Sequence, residues 1–189
     1  MKNFLVFVFE VVKVVVISLA IIIPVRYFLI QPFYVKGASM EPSFYDHEYL
    51  IIDEITYRFR AAERGEIVVF KYPLDPSQYF IKRVIGLPGE KVEIKDGEVH
   101  VYTADTNRRV KLDETYLSEG VETLNNKEGA VVELGPNEYY LLGDNRNHSK
   151  DSRSFGAVQD SFIVGRVIFR GWPFNRAGTF ATPEYGLIN

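Results

Sequence analysis

The N-terminal segment leaves this chain the fewest options. From Phe4 to Ile30 the sequence FLVFVFEVVKVVVISLAIIIPVRYFLI is almost entirely apolar. That stretch exceeds the roughly 20 residues an α-helix needs to cross a hydrocarbon core. Glu10 and Lys13 are three apart, so on a helix they share a face and can pair. Arg26 lies near the far end, where a long stem lets its charge reach the interface. Pro24 is expected to kink or end the helix in its last turn. A core helix is disfavoured because the segment is long and apolar all round. A cleavable leader is the competing reading, with Ser18-Leu19-Ala20 as a small-x-small site. Ile21-Ile22-Ile23 continue past it, however, and cleavage there would leave an apolar new terminus. The expectation is a retained membrane anchor over residues 1–30 and a folded part over 31–189. Lys2 precedes the span while Arg26 and Lys36 follow it, so flanking charge is only a weak orientation signal.

Composition narrows what the folded part does. The 189 residues are 47% hydrophobic and 25% charged, which supports a packed core. The formal net charge is −3 and there is no long basic run, which disfavours nucleic acid as a partner. Cysteine is absent, so disulfides, thiol nucleophiles and thiolate metal sites are excluded. With only His47, His100 and His148, a zinc site is hard to assemble.

After Pro32 the pattern changes to short alternating runs separated by turn residues. Tyr49–Ile52, Glu66–Phe70, Phe80–Ile85, Val131–Leu134, Tyr139–Leu142 and Phe162–Phe169 read as strands. Lys91–Ile94 and Glu98–Tyr102 flank Asp96-Gly97, a strong hairpin signal. Helical periodicity is scarce beyond the anchor. The predicted fold is mostly β, an antiparallel sheet domain behind an N-terminal transmembrane helix. The polar stretch Thr103–Gly129 suits a small excursion from it.

Three segments carry candidate chemistry. In Gly37-Ala38-Ser39-Met40-Glu41-Pro42 a serine stands among small residues before a proline-bounded turn. That exposure suits a nucleophile, which also needs a backbone N–H aimed at the developing oxyanion. The segment is not the G-x-S-x-G elbow, because Glu41 replaces the last glycine, and Pro42 excludes S-x-x-K. In Phe80-Ile81-Lys82-Arg83-Val84-Ile85, alternation puts one cation on each face among apolar neighbours. Two readings stand: both cations snorkel outward, or Lys82 is desolvated and loses its proton more readily. The third segment, Gly143 to Gly156, is dense in hydrogen-bonding groups and interleaves Asp144, Arg146, Asp151 and Arg153. It is a solvated loop, or one locked by bidentate charge pairs. It lacks the spacing of an EF-hand calcium loop. His148 beside Asp144 and Asp151 leaves a Ser-His-Asp arrangement open, since spacing alone does not join distant residues.

Taken together and in order, these segments resemble type I signal peptidases of the short, single-anchor Gram-positive kind (peptidase family S26). The resemblance rests on the anchor, Gly-x-Ser-Met-x-Pro, Lys-Arg-Val-Ile-Gly-x-Pro-Gly-Glu, and Gly-Asp-Asn-Arg…Ser-x-Asp-Ser-Arg…Gly. The terminal Gly171-Trp172-Pro173-Phe174 completes it. The resemblance implies a serine endopeptidase that cleaves secretory preproteins after a small-x-small motif, without metal or organic cofactor. Ser39 matches the nucleophile and Lys82 the general base, while Ser149 matches a serine that orients the lysine. Asp144, Arg146, Asp151 and Arg153 match charged residues that brace the site. Gly37 stands where some members carry a serine donor to the oxyanion, so that donor must come from backbone or water. His148 replaces a common asparagine and receives no catalytic role. Phe33, Val35, Phe44, Phe80 and Ile81 would line shallow pockets for small substrate side chains. The implied fold is a core of coiled sheets with a small β-rich insertion at about 96–137. It implies a single-pass protein of the cell membrane, N-terminus cytoplasmic, whose apolar catalytic face rests on lipid at the extracellular side. The alternatives are a catalytically silent assembly or chaperone protein on the same fold, and a Ser-Lys self-cleaving repressor. The repressor would need a DNA-binding module where the apolar span stands.

Overall fold

The computed structural model describes residues 2–28, 30–124, 129–183 and 185. Helix α1 (Lys2–Phe28) is exposed along its apolar stretch from Phe4 to Ile23. Pro24 stands in its last turn, and the helix ends four residues later at Phe28. Residues 25–28 can still donate to carbonyls 21–24, so a proline this near the end sacrifices little of the helical ladder.

The rest is mostly antiparallel sheet, with a few short helical turns. The strands are β1 (Ile30–Tyr34), β2 (Tyr49–Asp53), β3 (Ile67–Tyr72), β4 (Asp75–Gly86), β5 (Lys91–Lys95) and β6 (Glu98–Tyr102). They continue with β7 (Arg109–Lys111), β8 (Val131–Glu133), β9 (Glu138–Leu142), β10 (Val158–Gln159), β11 (Ile163–Trp172) and β12 (Gly178–Thr179). One sheet runs β1-β2-β11-β3-β4-β9-β10, with β12 added to β11. A smaller sheet runs β7-β6-β5-β8. Every strand named in the sequence reading is present. Strand β1 was not foreseen, because Pro32 lies inside it. Proline is tolerated there because β1 is an edge strand.

Local chemistry explains the main turns and layers. Asp96 (φ 53°) and Gly97 (φ 77°) both take the left-handed conformation that a two-residue hairpin demands. The run Ile67-Val68-Val69-Phe70 is apolar without alternation because β3 is covered on both faces. Ile67 and Val69 pack with Val35, Met40, Phe44, Leu50 and Ile52. Val68 and Phe70 pack with Val84, Tyr139 and Leu141. A third cluster, including Ile85, Val92, Val101, Tyr140 and Leu142, joins the two sheets. The Ser39 loop and β4 both rest on this packed framework.

Candidate active site

Two loops and one strand converge on Ser39. The loop after β1 carries it. Gly37 has φ +87°, with open space where a Cβ would stand, so the backbone conformation rather than crowding favours glycine. Its N–H is held by Asp46 Oδ1 at 2.9 Å. Met40 and Phe44 anchor the following turn in the core. From the other side, Asn145 donates its backbone N–H to the Ser39 carbonyl at 3.1 Å. Its side-chain Nδ2 donates to the Ala38 carbonyl, also at 3.1 Å. The two contacts fix the peptide units on both sides of the serine.

Strand β4 supplies Lys82. Its Nζ donates to Ser39 Oγ at 2.7 Å and to the Ile81 carbonyl at 2.7 Å. The side chain is not turned to solvent; Lys82 is only 3% exposed. The Phe80 ring centroid lies 5.5 Å from Nζ. Phe80 in turn stacks on Tyr72, with centroids 4.5 Å apart and planes at 10°. Burial holds the Lys82 pKa down to about 8, against an opposing pull from the charges of Asp151 and Asp144. A lysine so placed loses its proton more readily than a solvated one. In the neutral form its lone pair can accept the proton once the Ser39 hydroxyl donates to Nζ across the same 2.7 Å.

Arg83, on the opposite face of β4, is buried as well, at 4% exposure. Nε and Nη2 grip Asp144 at 2.8 and 2.6 Å, and Nη1 donates to the Gly65 carbonyl at 2.9 Å. Its guanidinium lies 3.8 Å above the Tyr116 ring. Neither cation snorkels outward. Arg83 finds its carboxylate inside, as a buried charge must, whereas Lys82 bonds only a hydroxyl and a carbonyl.

The loop from Gly143 is locked by charge pairs, but the pairing crosses elements. Asp144 goes to Arg83 and also accepts from Ser43 Oγ at 2.6 Å. Arg146 pairs with Glu114 and donates to Thr123 Oγ1, so the polar stretch of the sequence supplies its anchor. Asp151 and Arg153 do pair locally, Nε and Nη2 reaching the carboxylate at 2.8 and 2.7 Å. Asp151 also accepts the Gly143 N–H at 3.1 Å. Spacing alone gave no sign of Arg83, Ser43, Glu114, Thr123 or Asn145 as partners. For Arg83 a signal existed: an arginine within an apolar strand needs an internal carboxylate.

Ser149 sits against Gly143 with its Oγ buried and no hydrogen-bond partner among the described residues. Its bond to Lys82 is not formed in this structure. A Cβ at Gly143 would strike Ser149 Oγ and stand 2.5 Å from the Ser39 carbonyl oxygen, so glycine lets the two loops meet. His148 is exposed, and its ring lies 3.3 Å from Asn145 Oδ1. Ser39 Oγ is bonded by Lys82 instead, and the carboxylates of Asp144 and Asp151 are taken by arginines.

A cleft of about 600 Å³ opens over Ser39 and Lys82. Phe33, Val35, Phe80 and Ile81 line it, beside Tyr34, Leu50, Val69 and Tyr79. Phe44 corrects the expected set. It is not among the residues that line the cleft and packs instead in the core with Val35, Met40 and Leu50.

The family model described as signal peptidase, peptidase S26, matches residues 8–172. A Synechocystis protein described as “Probable signal peptidase I-2” is 38% identical over 175 residues, covering 89% of this chain and 75% of its own length. Signal peptidase IB of Staphylococcus aureus is 33% identical over 187 residues, covering 90% of this chain and 92% of its own. A solved signal peptidase I from Enterococcus faecalis superposes with a TM-score of 0.45 and 28% identity, covering 57% of this chain and 97% of that one.

Proposed function

The chain belongs to the signal peptidase family, peptidase S26, and on that premise we propose that it is a serine protease removing N-terminal signal peptides from secretory preproteins. The long apolar helix and the family together mark a membrane-anchored protein. One observation carries the mechanistic reading: the 2.7 Å hydrogen bond between Lys82 Nζ and Ser39 Oγ, made by a lysine that burial makes easier to deprotonate.

In this reading neutral Lys82 takes the Ser39 proton as Oγ attacks the scissile carbonyl. The resulting ammonium protonates the leaving amine, and Lys82 then activates the water that hydrolyses the acyl-enzyme. Ser39 N–H stabilises the oxyanion, with a second donor from backbone or water. Asp144, Arg146, Asp151 and Arg153 hold the loop rigid, and Ser149 orients Lys82 once its hydroxyl turns to the amine. Phe33, Val35, Phe80 and Ile81 receive an extended substrate whose small-x-small residues fit shallow pockets. Residues 1–30 form the anchor and 31–189 the catalytic part, with a small β-rich insertion at about 96–137. The N-terminus is cytoplasmic, and the catalytic part works on the lipid surface at the extracellular side.

The test is incubation of the purified full chain, in nonionic detergent, with a preprotein bearing a small-x-small site. Mass spectrometry should find one cut after the second small residue, and none with Ser39→Ala. Cleavage undiminished in Ser39→Ala would refute the reading. Intact substrate with the wild type would favour the silent assembly protein instead.

A further inference from the structure

The cleft over Ser39 is charged in a way that small-side-chain selection does not require. Lys36, Lys150 and His148 line it together with Lys82, and among the described residues no aspartate or glutamate does. This contrasts with the chain as a whole, whose formal net charge is −3. Nearby carboxylates are otherwise engaged. Asp46 accepts the Gly37 N–H, Asp144 is gripped by Arg83, and Asp151 by Arg153.

Lys150 rests on an aromatic face. Its Nζ lies 4.5 Å above the Tyr72 ring, Tyr72 stacks on Phe80 at 4.5 Å, and the Phe80 centroid is 5.5 Å from Lys82 Nζ. A cation seated on an aromatic face is held there electrostatically. These three steps put the Lys150 ammonium within about 15 Å of the Lys82 amine, a span that an extended peptide covers in fewer than five residues at about 3.3 Å each. Lys36 precedes Ser39 by three residues, so their Cα atoms are no more than about 11 Å apart. Both exposed cations therefore fall within reach of substrate residues flanking the scissile bond.

We propose that Lys36 and Lys150 are specificity-determining residues that favour substrates carrying aspartate or glutamate within five residues of the scissile bond, and disfavour lysine or arginine there. The inference rests on Ser39 and Lys82 forming the catalytic centre. It concerns the peptide rather than lipid, because both cations line the cavity that holds the reacting groups.

The test uses the full chain in nonionic detergent and a set of small-x-small peptides. Alanine, aspartate or lysine is placed in turn at each of the five positions on either side of the cut, leaving the two small residues of the motif unchanged. The reading is the ratio of kcat/KM for the aspartate peptide to that for the alanine peptide, so any general loss in a variant cancels. At one or more positions the ratio should be about two to five, as an exposed ion pair supplies. It should fall towards one in about 1 M salt, where screening reaches a few ångströms. Lys150→Gln or Lys36→Gln should flatten the ratio at its own position, and Lys150→Glu should invert it in favour of the lysine peptide. A flat ratio at every position, with alanine peptides cleaved, would overturn this inference alone. So would a preference that persists in the Lys36→Glu/Lys150→Glu double variant, or a charge effect seen only with anionic vesicles. Failure to cleave any peptide would overturn it together with the catalytic reading.

Discussion

Removing the aromatic wall beside Lys82 should move the enzyme's working pH upward. The Phe80 ring lies 5.5 Å from Nζ and joins Tyr72 in a stack that keeps water from the amine. Lys82 is 3% exposed, and burial is the first cause of its pKa near 8. At pH 7 roughly one lysine in eleven is then neutral and able to act as a base. Phe80→Ala admits water. If that returns the pKa by about one pH unit, the neutral fraction at pH 7 drops to roughly one in a hundred, about a ninefold loss. At pH 9.5 the two proteins should differ by only about 1.3-fold from this cause. Phe80 also lines the cleft, so weaker substrate binding adds a loss that is the same at every pH. The assay is the pH dependence of kcat/KM on a neutral peptide from pH 6 to 10. Its acid limb reports the pKa of the free enzyme's base. The reasoning predicts a limb displaced to higher pH over any vertical offset. A purely vertical offset, or a limb displaced to lower pH, would refute desolvation by Phe80.

Other consequences follow from buried groups and close contacts. Because its folded pKa lies below the ordinary 10.5, Lys82 lowers stability by a constant amount below pH 8, and the deficit fades as pH rises towards 10.5. Lys82→Met should therefore raise stability at pH 7 by about 1–3 kcal/mol, with the gain vanishing near pH 10.5, as followed by thermal melts. Arg83→Leu strands the buried Asp144 carboxylate and should cost about 3–5 kcal/mol in denaturant titrations, with Asp144→Asn added in the same chain restoring part of it. Gly143→Ala would force a methyl against Ser149 and the Ser39 carbonyl. It should lower kcat/KM about a hundredfold while circular dichroism stays unchanged, since displacement of about 1 Å is that costly at a reacting centre.

The sheet was legible because its signals are local. Alternation, the Asp96-Gly97 turn and the uninterrupted apolar run of β3 each determine their own element. The apolar helix was legible from length and hydropathy, and it ends one turn beyond Pro24. The site was legible in types but not in pairings. The sequence placed Lys82 and Arg83 on opposite faces of an apolar strand, which offers a choice between snorkelling and burial. Only the loops laid across β4 decide it, by bringing Ser39 to one cation and Asp144 to the other. Arg146 illustrates the limit most clearly. Its partner Glu114 comes from the polar stretch that reads as a mere excursion, 32 residues away in the chain. Phe44 reads equally well as a pocket wall or a core residue, and only the packed structure, where it stands outside the cleft lining, distinguishes them.

Lys82 as the base for Ser39 is the central assignment. Its most direct test is the kcat/KM of Lys82→Ala on a small-x-small preprotein, measured beside the wild type in the same detergent at pH 8 to 9. Loss of the general base should lower it at least about a thousandfold. A Lys82→Ala protein that keeps more than about a tenth of wild-type kcat/KM would contradict the dyad, since no positioned base is worth so little.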